Sequence, residues 1–179
     1  GAAIINIFSP RGGFGFIERL MTITEAMALA DSFAVLDWLV ERPEIDGERV
    51  AVIGFSYGGM SATYAAYRQV VDAYLPDVPF AAHVAVYGPC IARFEQIETT
   101  GAPIMMMWGT EDAIMDAGEW DARAEDLREG GSEVVSETFE ARHRWDSNSR
   151  HWRTPAHLAD CRFRVRENGV AEHATLPMH

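Results

Sequence analysis

The segment GFSYGG, at residues 54–59, constrains the fold of this chain more than any other feature of its sequence. It directly follows the apolar run VAVI, and its first five residues match G-x-S-x-G, a pattern in which a serine stands on a sharp turn between a β-strand and an α-helix. Such a turn strains the serine backbone, and side chains two positions to either side would collide with the neighbouring strand or helix. We therefore expect glycine to be required at Gly54 and Gly58, and the Ser56 hydroxyl to project outward. A glycine-rich turn with an incidental serine remains the alternative.

Apolar runs typical of buried strands alternate with helical patterns over most of the chain. The predicted strands cover residues 2–8, 50–54, 81–88, 103–109 and 132–139. Strands that are separated by helices of this length pair in parallel through right-handed crossovers. The sequence therefore predicts an α/β fold with a doubly wound, mostly parallel sheet of about five strands.

Three helical segments are predicted between these strands. Residues 22–25, Thr-Ile-Thr-Glu, have capping-box spacing, which predicts a helix with Thr22 as its N-cap; Pro43 ends this helix. The alanine-rich residues 60–71 predict a second helix that packs closely on the sheet. A third helix is predicted around Trp120, and the glycine pair at residues 130–131 ends it.

The last part of the chain has a different pattern. We predict a core over residues 1–148 and a C-terminal extension over residues 149–179. Within the extension, residues 161–166 alternate apolar and arginine side chains and precede Asn168-Gly169, which resembles a small hairpin. Because Asn-Gly pairs are also common in plain loops, a disordered or partner-bound tail remains the alternative.

Composition excludes several classes of partner. The chain has a formal net charge of −12, and all of its 15 basic residues are arginine. Nucleic acid attracts proteins through clustered positive charge, so it is not an expected partner. No stretch is long and apolar enough to span a bilayer, so no membrane partner is expected either. Cys90 and Cys161 are too few and too far apart to form a disulfide framework or a zinc site.

A serine hydroxyl is a weak nucleophile without a base, and the base needs a carboxylate that orients it. In open parallel sheets, ligands bind at the carboxyl ends of the strands. Asp112 follows one predicted strand and His143 follows the next, and the chain order Ser, Asp, His is found in hydrolases that carry the G-x-S-x-G turn. We predict that Asp112 is the acid and His143 the base. The rival residues are Glu111, Asp116, His151 and His157.

An isolated aspartate after a strand commonly serves only a turn, so the functional assignment of Asp112 depends on the whole constellation. His83 lies inside a predicted strand and is expected to be a packed core residue. The histidine spacing matches no metal-ligand pattern, and the predicted chemistry needs no cofactor.

Further residues are candidates for binding. The backbone N–H of Tyr57 begins the helix after the turn and is expected to donate to a developing oxyanion. Arg11 follows the first predicted strand, where it either contacts a substrate carboxylate or forms a surface ion pair. Phe55, Trp108 and Trp145 are candidates for an aromatic acyl pocket, and core packing explains them equally well.

Three segments together resemble the dienelactone hydrolase family: RVAVIGFSYGG, PIMMMWGTED and FEARHRWD. The resemblance covers roughly residues 4–148 and implies the α/β-hydrolase fold. It implies that Ser56 is the nucleophile, Asp112 the acid and His143 the base, in agreement with the assignment from the residues. It further implies hydrolysis of a small-molecule ester or lactone without a cofactor.

The chain departs from this family in two respects. Founding members use a cysteine nucleophile, whereas Ser56 stands here, so a broader ester or lactone hydrolase is expected. In the family, an upstream part carries the early strands and a loop that donates the second oxyanion hydrogen bond. Because a single predicted helix separates residues 2–8 from the serine strand, we expect that part to be cleaved, unseen or supplied by a second chain that completes the fold.

Three functions remain open from the sequence. The first is a serine hydrolase that acts through an acyl-enzyme. The second is a non-catalytic binding or assembly module that keeps the fold without a complete oxyanion hole. The third is an acyltransferase that uses the same triad and passes the acyl group to an alcohol or a peroxide.

Overall fold

The computed structural model describes residues 1–12, 22–75, 77–114, 117–147 and 163–173. Its centre is a four-stranded, entirely parallel sheet in the order β1-β2-β4-β5. These strands are β1 (Ala51–Phe55), β2 (Ala82–Val86), β4 (Ile104–Gly109) and β5 (Val134–Phe139); β3 (Ala92–Phe94) lies outside this sheet. The predicted α/β fold with a mostly parallel sheet of the α/β-hydrolase type is confirmed.

Four α-helices flank the strands in the described part of the chain: α1 (Glu25–Val40), α2 (Tyr57–Tyr64), α3 (Arg68–Tyr74) and α4 (Ala117–Glu129). The N-cap of α1 is Thr24, whose side chain accepts from the Met27 N–H at 3.4 Å, so the prediction of Thr22 was wrong by half a turn. The single helix predicted over residues 60–71 is broken at residues 65–67. There the Ala66 carbonyl accepts from the Thr100 N–H instead of continuing the helical ladder.

The strand predicted at residues 2–8 is absent from the structure. These residues form no ladder, Ile4 is 96% exposed, and a short 3₁₀-helix follows at Ser9–Arg11. The side chain of Asn6 accepts from the Phe8 and Ser9 N–H groups, and this local turn competes with extended structure. Apolar composition alone predicted a strand here, but a strand also needs a partner for its backbone groups. Among the described residues, the central sheet therefore has four strands and not about five.

The two faces of the central sheet differ in exposure. Each connection along the chain moves one strand further in the same direction, so right-handed crossovers place the intervening helices on one face. On that face Ile104, Met106 and Trp108 join the hydrophobic core with residues of α1, α2 and α4. On the other face the register aligns Ile53, Val84, Met105 and Val135 in one row. Ile53, Met105 and Val135 in this row are 62%, 38% and 44% exposed.

A second, smaller sheet has the order β3-β6-β7, in which β6 (Phe163–Val165) and β7 (Ala171–His173) form an antiparallel hairpin. Arg166 links the hairpin to the core because its guanidinium pairs with Glu95 as well as Glu172. In the described part of the tail, residues 163–173, the predicted hairpin is present. The boundary between core and extension at residue 148 stays a prediction.

His83 is a buried core residue, as predicted, with 1% exposure and Nδ1 at 2.9 Å from the Ala62 carbonyl oxygen. Burial lowers its pKa to about 4, below its ordinary value of 6.5. Between these two values the unfolded chain binds a proton that the native state does not, so the free energy of unfolding falls as the pH falls. At about 1.4 kcal/mol per pH unit, we expect a loss of about 2 to 3 kcal/mol between pH 7 and pH 4.5.

Urea denaturation of the wild type and of His83→Asn at both pH values measures this loss. Asparagine retains a donor for the Ala62 carbonyl but does not titrate, so the variant is expected to lose less stability by about that amount. Equal losses in the two proteins would show that His83 does not drive the acid destabilisation.

Candidate active site

Ser56 stands between the end of β1 and the start of α2 in a backbone conformation that L-residues rarely adopt. Its φ is 53° and its ψ is −116°. Two backbone hydrogen bonds fix this turn: the Ser56 N–H donates to the Val86 carbonyl at 2.9 Å, and the Ser56 carbonyl accepts from the Met60 N–H at 3.0 Å. The turn predicted from G-x-S-x-G is present, with the strain that presents the serine side chain at the carboxyl edge of the sheet.

The glycines around Ser56 have different roles. A Cβ on Gly54 would lie 1.9 Å from the Gly58 carbonyl oxygen, so no side chain fits there. A Cβ on Gly58 would meet nothing within 4 Å, which makes the prediction of a steric need at Gly58 wrong. The close approach occurs one residue later, because a Cβ on Gly59 would lie 2.8 Å from the Val86 carbonyl oxygen. The second glycine that the turn needs is therefore Gly59.

This difference predicts opposite outcomes for two alanine substitutions. Gly54→Ala is expected to destabilise the protein by more than about 3 kcal/mol, because the methyl group overlaps backbone that cannot move without disrupting the turn. Gly58→Ala is expected to change stability by less than about 1 kcal/mol, since alanine favours the helix and the site is open. Urea denaturation of both variants tests the pair, and an equal loss in the two would refute the steric account.

The structure brings the side chains of Ser56, His143 and Asp112 together. Ser56 Oγ lies 2.8 Å from His143 Nε2, and His143 Nδ1 lies 2.6 Å from Asp112 Oδ2. The Asp112 side chain is 3% exposed and the His143 side chain 11% exposed. The three residues therefore form one continuous, largely buried series of hydrogen bonds, although 87 positions separate Ser56 from His143 along the chain.

The parallel register of the sheet explains this convergence. β1, β4 and β5 all end at the same edge, and each of the three residues follows one of these strands. The Asp112 N–H donates to the Gly109 carbonyl, and Asp112 Oδ1 accepts from the Ile114 N–H, both at 3.0 Å. These bonds leave Oδ2 directed at His143. The segment before His143 passes so close to β4 that a Cβ on Gly109 would lie 2.2 Å from the Ala141 carbonyl oxygen.

Tyr87, which the sequence reasoning did not select, lies directly beside this group. It follows β2, is 4% exposed and has a φ of 41°. Its ring packs edge to face against His143, with 4.7 Å between the ring centroids, and its hydroxyl donates to Asp146. The strand predicted over residues 81–88 includes Tyr87, whereas β2 ends at Val86, so only the structure places Tyr87 directly after a strand.

Two further residues that the sequence suggested for binding, Tyr57 and Arg11, make different contacts. Tyr57 is the first residue of α2, and among the described residues no hydrogen bond from its N–H is found; its hydroxyl donates to the Ile23 carbonyl at 2.8 Å. Arg11 forms a bidentate ion pair with Asp31 of α1, at 2.5 and 2.7 Å. Its guanidinium is therefore already neutralised by a carboxylate of this chain.

The three aromatic candidates for the acyl pocket lie in different places. Phe55 is 50% exposed, and Trp145 packs against Tyr87 at 4.8 Å between ring centroids. Trp108 is 7% exposed in the core and stacks on Trp120, so the structure places it under α4 and not beside His143. Phe55 and Trp145 thus remain candidates for an acyl pocket.

None of the alternative candidates for the acid and base roles is seen beside Ser56 in the described structure. Glu111 pairs with Arg142 at 3.0 Å on the surface. Asp116, His151 and His157 lie outside the described residues. Among the residues with described positions, no group of acidic, cysteine or histidine side chains could hold a metal ion, and no helix has the length and apolar character of a membrane span.

Comparison with solved structures shows a shared fold. A Klebsiella pneumoniae protein described as a dienelactone hydrolase superposes with a TM-score of 0.59 at 21% identity, over 81% of this chain and 65% of that one. An α/β hydrolase from a Medee basin deep-sea metagenome library superposes with a TM-score of 0.52 at 23% identity, over 64% of this chain and 49% of that one. Esterase 2 of the planctomycete Thermogutta terrifontis, with propionate bound, superposes with a TM-score of 0.58 at 17% identity, over 74% of this chain and 61% of that one. This chain therefore spans less than two thirds of the length of each of these relatives.

Comparison at the level of sequence gives the family. No curated protein sequence matches the chain. The model of the dienelactone hydrolase family matches residues 13–159, a range that contains β1, β2, β4 and β5 with Ser56, Asp112 and His143. Since this range is well over half of the sequence, the chain belongs to the dienelactone hydrolase family.

Proposed function

We propose that this chain is a serine hydrolase that cleaves carboxylic ester or lactone bonds. Ser56 is the nucleophile, His143 the general base and Asp112 the acid that orients it. The observation that carries the proposal is the series of hydrogen bonds from Asp112 through His143 to Ser56, at 2.6 and 2.8 Å. Membership of the dienelactone hydrolase family supports hydrolytic chemistry at this site.

The environment of the carboxylate favours this function. Asp112 Oδ1 is satisfied by the Ile114 N–H, so the other oxygen is free to accept from His143 Nδ1. That bond fixes the neutral imidazole with its proton on Nδ1 and its lone pair on Nε2, which faces Ser56. When His143 becomes protonated, its charge lies 2.6 Å from a carboxylate that is shielded from water, where the attraction is stronger than in solvent.

The reaction proceeds in two halves. Ser56 Oγ attacks the carbonyl carbon while its proton passes to His143 Nε2, and a tetrahedral oxyanion forms. The oxyanion collapses, the bond to the leaving alcohol breaks, and the alcohol takes the proton from His143. Water then attacks the acyl-serine, gives a proton to His143, and the acid departs as Ser56 Oγ regains that proton.

The Tyr57 N–H is the proposed oxyanion donor on this chain. It belongs to the first turn of α2, where backbone N–H groups have no partner within the helix. The positive end of the helix dipole adds to the stabilisation of the negative oxygen. Preorganised donors of this kind each contribute about 100- to 1,000-fold in turnover.

The proposed substrates are small esters and lactones. The Thermogutta esterase was solved with propionate bound and, separately, with butyrate bound, which supports short acyl chains as first choices here. Arg11 is not proposed as an anchor for an acidic substrate as long as it stays paired with Asp31.

Stopped-flow hydrolysis of p-nitrophenyl butyrate tests this function. We expect a burst of nitrophenol equal to the enzyme concentration, followed by slower turnover, because the acyl-serine accumulates. Hydrolysis no faster than in buffer would favour the non-catalytic module. Butyrate transferred to an added alcohol, in excess of the butyrate released to water, would favour the acyltransferase.

A further inference from the structure

Tyr87 contacts the segment that carries His143 at three points. This segment, residues 140–147 after β5, is called the histidine loop below. The Tyr87 ring packs edge to face against His143 and against Trp145, with centroid distances of 4.7 and 4.8 Å. The Tyr87 hydroxyl donates a hydrogen bond to the carboxylate of Asp146.

The backbone of Tyr87 is itself held firmly. Its N–H donates to the Met107 carbonyl of β4 at 2.7 Å. The next residue, Gly88, lies so close to the serine turn that a Cβ there would be 2.4 Å from the Gly59 carbonyl carbon. The positive φ of 41°, which is unfavourable for tyrosine, directs the chain into this position. Tyr87 is therefore fixed between β4 and the turn that carries Ser56.

The topology of the sheet explains why the histidine loop needs such a support. In the sheet formed by the described residues, β5 is one edge strand and β1 the other, so the loop crosses the ends of β4 and β2 to bring His143 to Ser56. Over β4 the loop is tied by the Ala141 carbonyl, which accepts from the Glu111 N–H at 3.0 Å, and by Asp112. Where the histidine loop passes over the end of β2, the residue that contacts it in the described structure is Tyr87.

We propose that Tyr87 is a positioning residue, which with Asp146 clamps the histidine loop over β2 and keeps His143 Nε2 within hydrogen-bond reach of Ser56. Its catalytic consequence rests on the proposed hydrolase function. The clamp itself is a property of the fold. Burial and the neighbouring Asp146 raise the pKa of Tyr87, so its hydroxyl stays protonated and able to donate at neutral pH.

Tyr87→Phe is the first test because it keeps the ring contacts and removes only the donor. A hydrogen bond to a carboxylate is worth roughly a factor of ten or more in the equilibrium that it controls. We expect kcat for p-nitrophenyl butyrate to fall about tenfold with KM within about twofold, because the loop acts on the proton transfer and not on substrate binding. Asp146→Ala should give the same loss, and the double variant no additional loss.

Two further variants separate positioning from general damage. Asp146→Asn retains an acceptor oxygen for the Tyr87 hydroxyl and is expected to regain most of the activity that Asp146→Ala loses. Tyr74→Phe is the matched control, because the Tyr74 hydroxyl also donates a hydrogen bond within this chain, to the Ala26 carbonyl at 2.9 Å, but away from the loop. This control is expected to keep the kcat of the wild type.

Hydrogen exchange of the backbone amides in residues 140–147 tests the clamp without reference to turnover. Tyr87→Phe is expected to exchange these amides at least several-fold faster than the wild type, whereas Tyr74→Phe is not. If the wild type hydrolyses no ester, the proposed function fails, but the exchange result still shows whether Tyr87 holds the histidine loop in place. Unchanged exchange in Tyr87→Phe, or faster exchange with kcat within twofold of an active wild type, would overturn the inference.

Discussion

Replacement of Ser56 by alanine is expected to lower kcat for p-nitrophenyl butyrate by a factor on the order of 10⁵, with the fold intact. The variant keeps His143 and Asp112 but has no oxygen that can form the acyl-enzyme. Stability is expected to change little, because alanine and serine have similar difficulty with the φ of 53° at this position. The nitrophenol burst should disappear altogether. Steady-state and stopped-flow assays of the purified variant measure both effects.

Ser61→Ala is the matched control for this substitution. Ser61 lies on α2, five residues after Ser56, is 6% exposed, and its hydroxyl donates to the Tyr57 carbonyl at 3.2 Å. This control removes a buried serine hydroxyl of the same helix without touching His143, so wild-type turnover within about threefold is expected. Undiminished turnover in Ser56→Ala would exclude Ser56 as the nucleophile.

Asp112→Asn is expected to lower kcat on the order of 10⁴-fold, although the two side chains have nearly the same shape. The Ile114 N–H needs an acceptor, so the amide oxygen of asparagine takes the place of Oδ1 and the amide NH₂ faces His143. His143 Nδ1 must then accept, which moves the imidazole proton to Nε2. In that tautomer Nε2 donates toward Ser56 and cannot take its proton.

Glu111→Gln is the control for Asp112→Asn, because it neutralises the adjacent carboxylate. Glu111 pairs with the exposed Arg142, and surface pairs of this kind contribute little, so an activity change below about threefold is expected. The ring NMR signals of His143 in Asp112→Asn should report the changed tautomer. Wild-type activity in Asp112→Asn would mean that the carboxylate does not orient the base.

Much of the sheet was predictable because its strands are bounded by strong local signals. Met106 and Ile104 lie in an apolar run that ends in glycine, and the buried alternate side chains of this run match a strand that packs on helices. Residues 2–8 show the limit of such reasoning. Their apolar character is as strong, but a strand depends on a distant partner that composition does not reveal, and Asn6 diverts the chain into a turn.

The candidate site was predictable where a residue has a role that follows from its position. Ser56, Asp112 and His143 each follow a strand, and parallel strands bring such positions to one edge. Tyr87 could not be predicted in the same way, since its role depends on which ring and which carboxylate face it across 56 to 59 positions of sequence. The need for Gly59 in place of Gly58 likewise depends on how closely β2 passes the turn.

Covalent labelling with a fluorophosphonate, followed by intact mass and peptide mapping, tests the central claim most directly. A serine that is activated by His143 attacks phosphorus as it attacks an ester carbonyl, so the wild type is expected to gain one phosphonyl group on Ser56. Ser56→Ala should gain none, and Ser61→Ala should be labelled like the wild type. A folded wild-type protein that stays unlabelled, or is labelled at another residue, would contradict the account.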